Sequence, residues 1–460
     1  MRIFRHHLFP AIVLLGAAEF AVFLVSPEIF SHVASGEGGW RIDLVDWTRM
    51  ISYGVIMALA MAAMGLYHRR QRAAFAGIMV RVVVALGGGS AVVGLVSYLV
   101  PTLQIARSIL VGSVVLSTVL VGICRFTFDR LVDDNIFRRR VLVLGAGRRA
   151  RSISQLRRRT DLRGFMVVGF SEAQGDERVV PPERLVDTGA SLAVYCADNE
   201  VDEIVVAMDD RRRSFPVHDL LECRVRGVEI TELVYFLERE TGKVRLDVLN
   251  PSWIIFSPGF GRNWWRSMSE RSFDVLASLA ILTLASPVIL LTMLAIKLEE
   301  GLRAPVFYRQ VRVGLEGRQF SVLKFRSMRV DAEAQGAQWA AKRDSRVTRV
   351  GAVIRKMRID ELPQIINVLK GDMGFVGPRP ERPEFVAQFD ERIPYYRERH
   401  YVKPGITGWA QLCYPYGASE QDAALKLEYD LYYVKNRSLL FDVMILLQTV
   451  EVVLWGKGGR

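Results

Sequence analysis

The chain has 460 residues, half of them hydrophobic and 24% charged, with a net charge of +12; a positive mean hydropathy of +0.18 beside that charge fits apolar segments alternating with charged domains and excludes a uniformly soluble chain. Cys124, Cys196, Cys223 and Cys413 form no CxxC pair and the six histidines no HExxH spacing, which excludes a disulfide framework and a structural zinc site. The basic excess suits anionic lipid or phosphorylated substrates; with no zinc-finger spacing or single-strand-binding module, no nucleic acid partner is expected.

Four apolar runs come first, Leu8–Val25, Met50–Tyr67, Val82–Val100 and Ser108–Cys124, each close to the ~20 residues that cross a ~30 Å hydrocarbon core as a helix. No small-residue cleavage site follows the first run before Ser26-Pro27-Glu28, so it is expected to be a span and not a signal peptide. Arg2 and Arg5 precede the bundle, Arg69, Arg70, Arg72 and Arg81 separate spans two and three, and Arg125, Arg130, Arg138, Arg139 and Arg140 follow span four. The remaining loops are poorer in base, which places both ends of a four-helix transmembrane bundle over residues 1–130 in the cytoplasm. Glu19 is costly in lipid unless paired and is expected to face the bundle interior.

Residues 138–245 change to a soluble α/β pattern. Strand-like runs at Val141–Leu144, Met166–Phe170, Glu203–Met208 and Val228–Thr231 alternate with helical stretches, as in a parallel, Rossmann-like sheet. Gly145-Ala146-Gly147-Arg148-Arg149-Ala150 fits G-x-G-x-x-G/A, with Glu172 as the candidate acid after the second strand. No acid clearly closes that strand, so the loop reads as a structural or regulatory remnant in preference to an NAD site. Residues 246–270 read as a linker, with Trp264 and Trp265 as interface anchors.

Ala277–Ile296 is a fifth apolar run of twenty uncharged residues with Ser286-Pro287 at its centre. Arg262, Arg266 and Arg271 flank one side, and Lys297, Arg303, Arg309 and Arg312 the other, so neither end prefers the outside. Pro287 removes a backbone donor at mid-depth, where Ser286 can hydrogen-bond a freed carbonyl. A helix over 274–298 that enters, bends and returns to one face satisfies both facts. The last apolar stretch, Val443–Trp455, is too short to span and reads as an amphipathic or buried helix.

Between these runs lies Arg358-Ile359-Asp360-Glu361-Leu362-Pro363-Gln364, preceded by Leu323-Lys324-Phe325-Arg326-Ser327-Met328 and followed by Gly377-Pro378-Arg379-Pro380. Adjacent carboxylates among fixed cations suit phosphate chemistry: acids hold Mg²⁺ or attack phosphorus, and cations neutralise phosphate oxygens. Taken singly, such charge runs are ordinary solvated surface. By helical spacing, Arg355 and Arg358 cannot both share the Asp360 face. Pro363 suits the first turn of a following helix, whose positive end is expected to lower the Asp360 pKa.

Tyr308-Arg309-Gln310-Val311-Arg312-Val313-Gly314, the Lys324 run, Asp344 to Gly351, the acidic pair, the Arg379 motif, Lys403-Pro404-Gly405-Ile406-Thr407-Gly408-Trp409, and Tyr429-Asp430 through Asp442 occur in one order. From about Arg271 to Leu454 this resembles the bacterial sugar transferase family, the monotopic phosphoglycosyl transferases; Gly374-Phe375 departs from the family's small polar and aliphatic pair. The resemblance implies a multidomain membrane α/β protein of the bacterial inner (cytoplasmic) membrane, with a mainly helical α+β catalytic domain over 271–460 on the cytoplasmic face. It implies a re-entrant helix broken at Ser286-Pro287. It also implies transfer of a sugar 1-phosphate from a nucleotide diphosphate sugar, with UDP the usual carrier, to polyprenyl phosphate. Asp360 is then the nucleophile and Glu361 its partner in Mg²⁺ or acceptor handling. Lys324, Arg355 and Arg379 are the phosphate clamps, with Arg326, Arg358, Gln310 and Arg312 beside them in substrate binding. Membrane lipid is an expected partner, and the oligomeric state stays open, a homodimer included.

Two other classes compete. A membrane-anchored nucleotide-sugar dehydratase needs a second glycine fingerprint and a Tyr-x-x-x-Lys pair, and none of the fourteen tyrosines has that lysine. A non-catalytic membrane scaffold does not call for an intact Asp360, Glu361 and Lys324.

Overall fold

The computed structural model describes the chain apart from residues 1, 4–5, 8–9, 36–43, 68–74, 132–137, 157–163, 174–175, 190, 211–214, 258, 262–263, 330–345, 415–416, 418 and 455–460. Arg5, Arg69, Arg70, Arg72, Arg262, Asp344 and Trp455 of the sequence analysis lie outside the described residues. Cα proximity divides the chain into two units, Met1–Leu249 and Asn250–Arg460.

After a short antiparallel pair, Arg2–Ile3 with His6–His7, the first unit has helices α1 (Pro10–Ser35), α2 (Leu44–Ala63), α3 (Phe75–Leu99) and α4 (Arg107–Leu131). They close around Phe23, Tyr53, Met57, Met61, Val82, Leu86 and Val121, while Leu14, Leu59, Val83, Leu95, Val111 and Val115 stay exposed. Apolar residues on both inner and outer faces mark helices whose outer face meets lipid. Glu19, fully buried, is paired by Arg125: Nε lies 2.6 Å from Oε1 and Nη2 3.1 Å from Oε2. Removing either partner would strand a buried charge, at a cost of about 3–5 kcal/mol.

Among the described residues four helices are long and apolar enough to cross a membrane, within α1, α3, α4 and the later helix Trp264–Glu300. α2 is not one of them; Asp46 and Arg49, an ion pair in its first turns, lower its apolarity. The chain is a membrane protein with a parallel α/β sheet.

That sheet follows α4. Strands β1 (Arg139–Leu144), β2 (Phe165–Ser171), β3 (Leu185–Val186), β4 (Glu203–Val206) and β5 (Glu229–Glu232) are all parallel, in the order β3-β2-β1-β4-β5. Helices α5 (Arg148–Ser154), α6 (Leu192–Asp198), α7 (Val217–Val225) and α8 (Leu233–Thr241) connect or follow the strands. β1 and β4 are buried along Val141–Leu144 and Glu203–Val206; Val141–Leu144 and Ile204–Val206 therefore read as continuous apolar runs, and buried Glu203 is paired by Arg139 and Arg239. β3 escaped the sequence reading because two residues carry no periodicity.

The second unit begins within the stretch read as a linker. Helix α9 (Pro251–Phe256) buries Trp253 to 6% exposure, with Lys435 Nζ 4.2 Å over its ring and Phe260 against its edge. Helix α10 (Trp264–Glu300) is one continuous helix with Pro287 inside it, where the sequence reading expected a break at Ser286-Pro287. The proline frees the Thr283 carbonyl, and Ser286 Oγ donates to that carbonyl at 2.8 Å. A hairpin, β6 (Phe307–Val313) with β7 (Gln319–Phe325), is followed by α11 (Arg349–Lys356), a 3₁₀ turn (Ile359–Glu361) and α12 (Gln364–Lys370). Then come β8 (Gly374–Val376), α13 (Pro383–Arg392), β9 (Gly405–Thr407), α14 (Trp409–Cys413), α15 (Glu420–Asn436) and α16 (Leu439–Leu454), with β8 and β9 parallel.

Two apolar clusters hold the hairpin. Val322 packs with Ile365, Val368, Phe375, Tyr433, Phe441 and Ile445; Phe325 packs with Ile296, Val306 and Ile354. Ile359 joins the second cluster and Leu362 touches both, so the two acids between them sit in a turn pinned at either end. Tyr396, Tyr429 and Tyr433 are core residues at 2–4% exposure.

Candidate active site

Four local features bring the predicted residues together. β7 ends near Lys324, which faces Tyr308 across the hairpin. Asn367 of α12 splices onto that strand's edge: its Oδ1 accepts from Leu323 N at 3.0 Å and its Nδ2 donates to Ser321 O at 2.8 Å. α11 ends at Lys356, and Arg358 then adopts a left-handed conformation (φ 60°) that turns the chain into the 3₁₀ turn carrying Asp360 and Glu361. A non-glycine residue in this region costs about 1–3 kcal/mol and persists where surroundings enforce it. Arg379 arrives from the loop after β8.

Glu361 Oε1 is the hub: Lys324 Nζ lies 3.4 Å away, Arg379 Nη2 3.4 Å and Arg358 Nη1 3.6 Å. Burial alone would raise this carboxyl, but Arg379, Lys324 and Arg358 outweigh it and hold it down at about 2. Lys324 is lowered by burial and by Arg379 and Arg312, against the pull of Glu361 and Asp360. Asp360 goes the other way, raised by burial and by neighbouring Glu361, with Lys324, Arg358 and Arg355 only partly offsetting them. Its Oδ1 is buried without a hydrogen-bond partner among the described residues. The expected lowering by the α12 terminus is therefore corrected: Pro363 stands at the N-cap position of α12 without a capping bond, and desolvation dominates. The spacing rule for Arg355 and Arg358 does not apply, because α11 ends at Lys356 and the left-handed Arg358 leads into a 3₁₀ turn; the charges of both favour ionised Asp360.

Gln310 and Arg312 form a polar chain on the same hairpin face. Arg312 Nη2 donates to Gln310 Oε1 at 2.6 Å and Nη1 to Pro380 O at 3.1 Å, while Gln310 Nε2 donates to Tyr308 Oη at 3.3 Å. Burial, with Arg379 and Arg382, brings Arg312 down to about 10 despite Glu381. Arg326 is apart from this group: its Nε donates to the Pro305 carbonyl at 3.0 Å. Ser286 and Pro287 lie mid-way along α10 and are exposed.

The set fits a magnesium ion in a limited way. Among the described residues no three acids, histidines or cysteines cluster as metal ligands. Asp360 has an orphaned oxygen beside Glu361, and Mg²⁺ is commonly held by one or two carboxylates with substrate phosphates completing its shell.

The glycine loop of the first unit has a different fate. Arg148 N and Arg149 N donate to the two carboxylate oxygens of Asp209, both at 2.8 Å, and Ala146 N donates to Asp176 Oδ2 at 3.0 Å. A Cβ on Gly147 would fall 2.0 Å from Asp209 Oδ2, so the glycine is required by a side chain of the protein itself. Glu172 pairs with Arg178.

Asn367 and Arg399 were missed by the sequence analysis. An asparagine within a helix is a weak signal, since it competes for backbone bonds; Arg399, inside Arg397-Glu398-Arg399-His400, reads as a solvated face. A cavity of about 480 Å³ was missed as well. It is lined by Glu270, Arg271, Asp274, Lys403, Tyr433 and Asp442 among others, and shares no residue with the Glu361 cluster.

The family described as bacterial sugar transferase matches residues 265–456, the segment that holds this cluster. The chain is 45% identical over 244 residues to a UDP-N-acetylgalactosamine-undecaprenyl-phosphate N-acetylgalactosaminephosphotransferase of Aeromonas hydrophila, covering 52% of this chain and 56% of that relative. It is 32% identical over 329 residues to an undecaprenyl-phosphate glucose phosphotransferase of Komagataeibacter xylinus, covering 70% and 60%. A UDP-glucose:undecaprenyl-phosphate glucose-1-phosphate transferase of Caulobacter vibrioides is 40% identical over 189 residues, 41% of this chain and 70% of the relative. The chain thus spans little more than half the length of the first two relatives. On the profile match, these likenesses and the ordered motifs together, the chain belongs to the bacterial sugar transferase family.

Proposed function

We propose that this chain transfers a sugar 1-phosphate from a nucleotide diphosphate sugar, of the UDP class, to undecaprenyl phosphate, as a membrane step in exopolysaccharide or other surface glycan assembly. The relatives' names support the substrate classes. The observation that carries the chemistry is the asymmetry of the acidic pair: Glu361 is held by three cations, while Asp360 keeps a buried oxygen without a hydrogen-bond partner among the described residues.

Asp360 attacks the β-phosphorus. The bond from that phosphorus to the α–β bridging oxygen breaks, and the nucleoside monophosphate leaves with the electron pair. An oxygen of polyprenyl phosphate then displaces Asp360, restoring the carboxylate and forming the polyprenyl diphosphate sugar. Lys324, Arg355 and Arg379 neutralise the phosphoryl oxygens as charge moves between them. Glu361 keeps Lys324, Arg358 and Arg379 converged when no phosphate is present. Mg²⁺, held by Asp360 and Glu361 in the donor complex, would supply charge neutralisation for the leaving nucleotide.

For the membrane arrangement we propose four spans over residues 1–130, a Rossmann-like domain over 138–245, and a re-entrant α10 that leaves residues 271–460 on the cytoplasmic face of the inner membrane. Both ends of α10 dock on one body: Arg271 donates to Val368 O and Leu369 O, and Glu299 accepts from Arg349 N and Val350 N. Leu284, Leu290 and Leu291 between them are 65–81% exposed, as suits a lipid-covered middle. The strand order of the sheet is that of the first five strands of a dinucleotide-binding fold.

The test is to incubate the purified chain with undecaprenyl phosphate, Mg²⁺ and a panel of nucleotide sugars. Nucleoside monophosphate release, and label from the sugar phosphate trapped on the Asp360 peptide without acceptor, are expected. Release that strictly requires acceptor, with no adduct, would refute the two-step route.

A further inference from the structure

Four successive carbonyls after β8 are each held by a donor. Gly405 N reaches Pro378 O and Val313 N reaches Glu381 O, both at 3.0 Å. The two carbonyls between them are taken by guanidinium groups, Arg379 O by Arg399 Nη2 at 2.9 Å and Pro380 O by Arg312 Nη1 at 3.1 Å. Arg399 is 5% exposed; its Nη1 donates to Tyr396 Oη at 2.7 Å and its Nη2 pairs with Asp430 Oδ2 at 2.8 Å. Asp430 is itself only 2% exposed.

Burying such a pair costs several kcal/mol per ion before their attraction is counted, and apolar side chains of similar volume often serve stability as well or better. Stability is therefore a poor reason for this pair. Among the described residues, its contact with the site is the main chain of Arg379, whose own guanidinium lies 3.4 Å from Glu361. The Arg379 side chain is 41% exposed; Glu361 holds its guanidinium, and the main chain that Arg399 fixes sets where the side chain starts. We propose that Arg399, aimed by Asp430, is a positioning residue that sets Arg379 for the phosphoryl group transferred at Asp360. This rests on the transfer reading above. Arg399 touches no substrate; it acts through the Arg379 carbonyl.

A double-mutant cycle on nucleotide release by the full chain separates positioning from general support. Arg399→Lys keeps a cation facing Asp430 but cannot fork to three acceptors. It should lower kcat by roughly ten- to a hundredfold, the scale of a small misplacement of a catalytic group. Added to Arg379→Ala, which is already slow, it should cost less than about twofold more. Multiplying losses would overturn the proposal, as would wild-type kcat in Arg399→Lys. Should that variant not fold, Arg399→Gln combined with Asp430→Asn removes both charges without stranding either, and the same non-additivity with Arg379→Ala is required. If the unsubstituted chain releases no nucleotide from any sugar nucleotide, the transfer reading fails and hydrogen exchange decides this one. Arg399→Lys should then speed exchange at the amides of Arg379, Glu381 and Arg382, and at Val313 N, which donates to Glu381 O, while leaving strand β7 unchanged. Unchanged or uniformly faster exchange would reject it.

Discussion

The glycine loop before α5 and the acidic turn before α12 are both segments whose residue types suit phosphate, yet they end in opposite states. In the first, backbone N–H groups that would meet an anion already donate to Asp209 and Asp176. In the second, three cations share one carboxylate, Glu361, and the adjacent Asp360 keeps a buried oxygen without a hydrogen-bond partner among the described residues. A loop whose donors are met by its own carboxylates is held in shape from within. A site held with unmet valence at its centre, in a turn entered through a left-handed arginine, is built to receive something.

The sharpest way to break this contrast is at Asp360. Asp360→Asn keeps size and removes the nucleophilic charge; turnover should fall by at least ~10⁴-fold, with no label trapped on the protein, while the melting temperature holds. Substantial residual turnover would move the nucleophile elsewhere. Glu361→Gln comes next: the cations lose their common anion, and a loss of roughly 10²–10³-fold in kcat/KM is expected.

Acid should act earlier on this turn than on an ordinary aspartate. Burial and the Glu361 charge raise Asp360 above 3.8, so as pH falls it takes up its proton, and ceases to be a nucleophile, at a higher pH than usual. The acid limb of kcat/KM should lie above the ordinary aspartate range. In Glu361→Gln the like charge is gone, and the limb of the residual activity should move to lower pH. An unmoved limb would assign it to another group.

The smallest effects belong to the glycine loop. Asp209→Ala should cost about 1 kcal/mol of stability, as for loss of a helix cap, with nucleotide release unchanged within about twofold. Stoichiometric NAD on the unsubstituted chain, or a requirement for it, would erase the difference between the two regions.

Much of the catalytic segment was legible because the chemistry demands particular side chains in a short, ordered series. Lys324, Asp360, Glu361, Arg358 and Arg379 are named by their motifs, and the structure gathers them. Arg326 stood in the same motif, yet bonds Pro305. Arg355 and Arg358 were set on different faces by helical arithmetic that a single positive φ invalidated. Glu19 announced a need for a partner, but only packing shows that Arg125, more than a hundred residues on, meets it.

Sequence alone determined where apolar runs lie, where four of the five parallel strands of the first unit's sheet fall and which motif carries phosphate-handling residues, because period and side-chain identity are local properties. Tertiary structure decided which charges are satisfied. That the loop is filled by Asp209, that Arg399 holds the Arg379 carbonyl, and that Asp360 is raised while Glu361 is lowered all depend on groups far apart in the chain. Desolvation and the distances between charges exist only once the chain has folded, so no spacing along the sequence could set them.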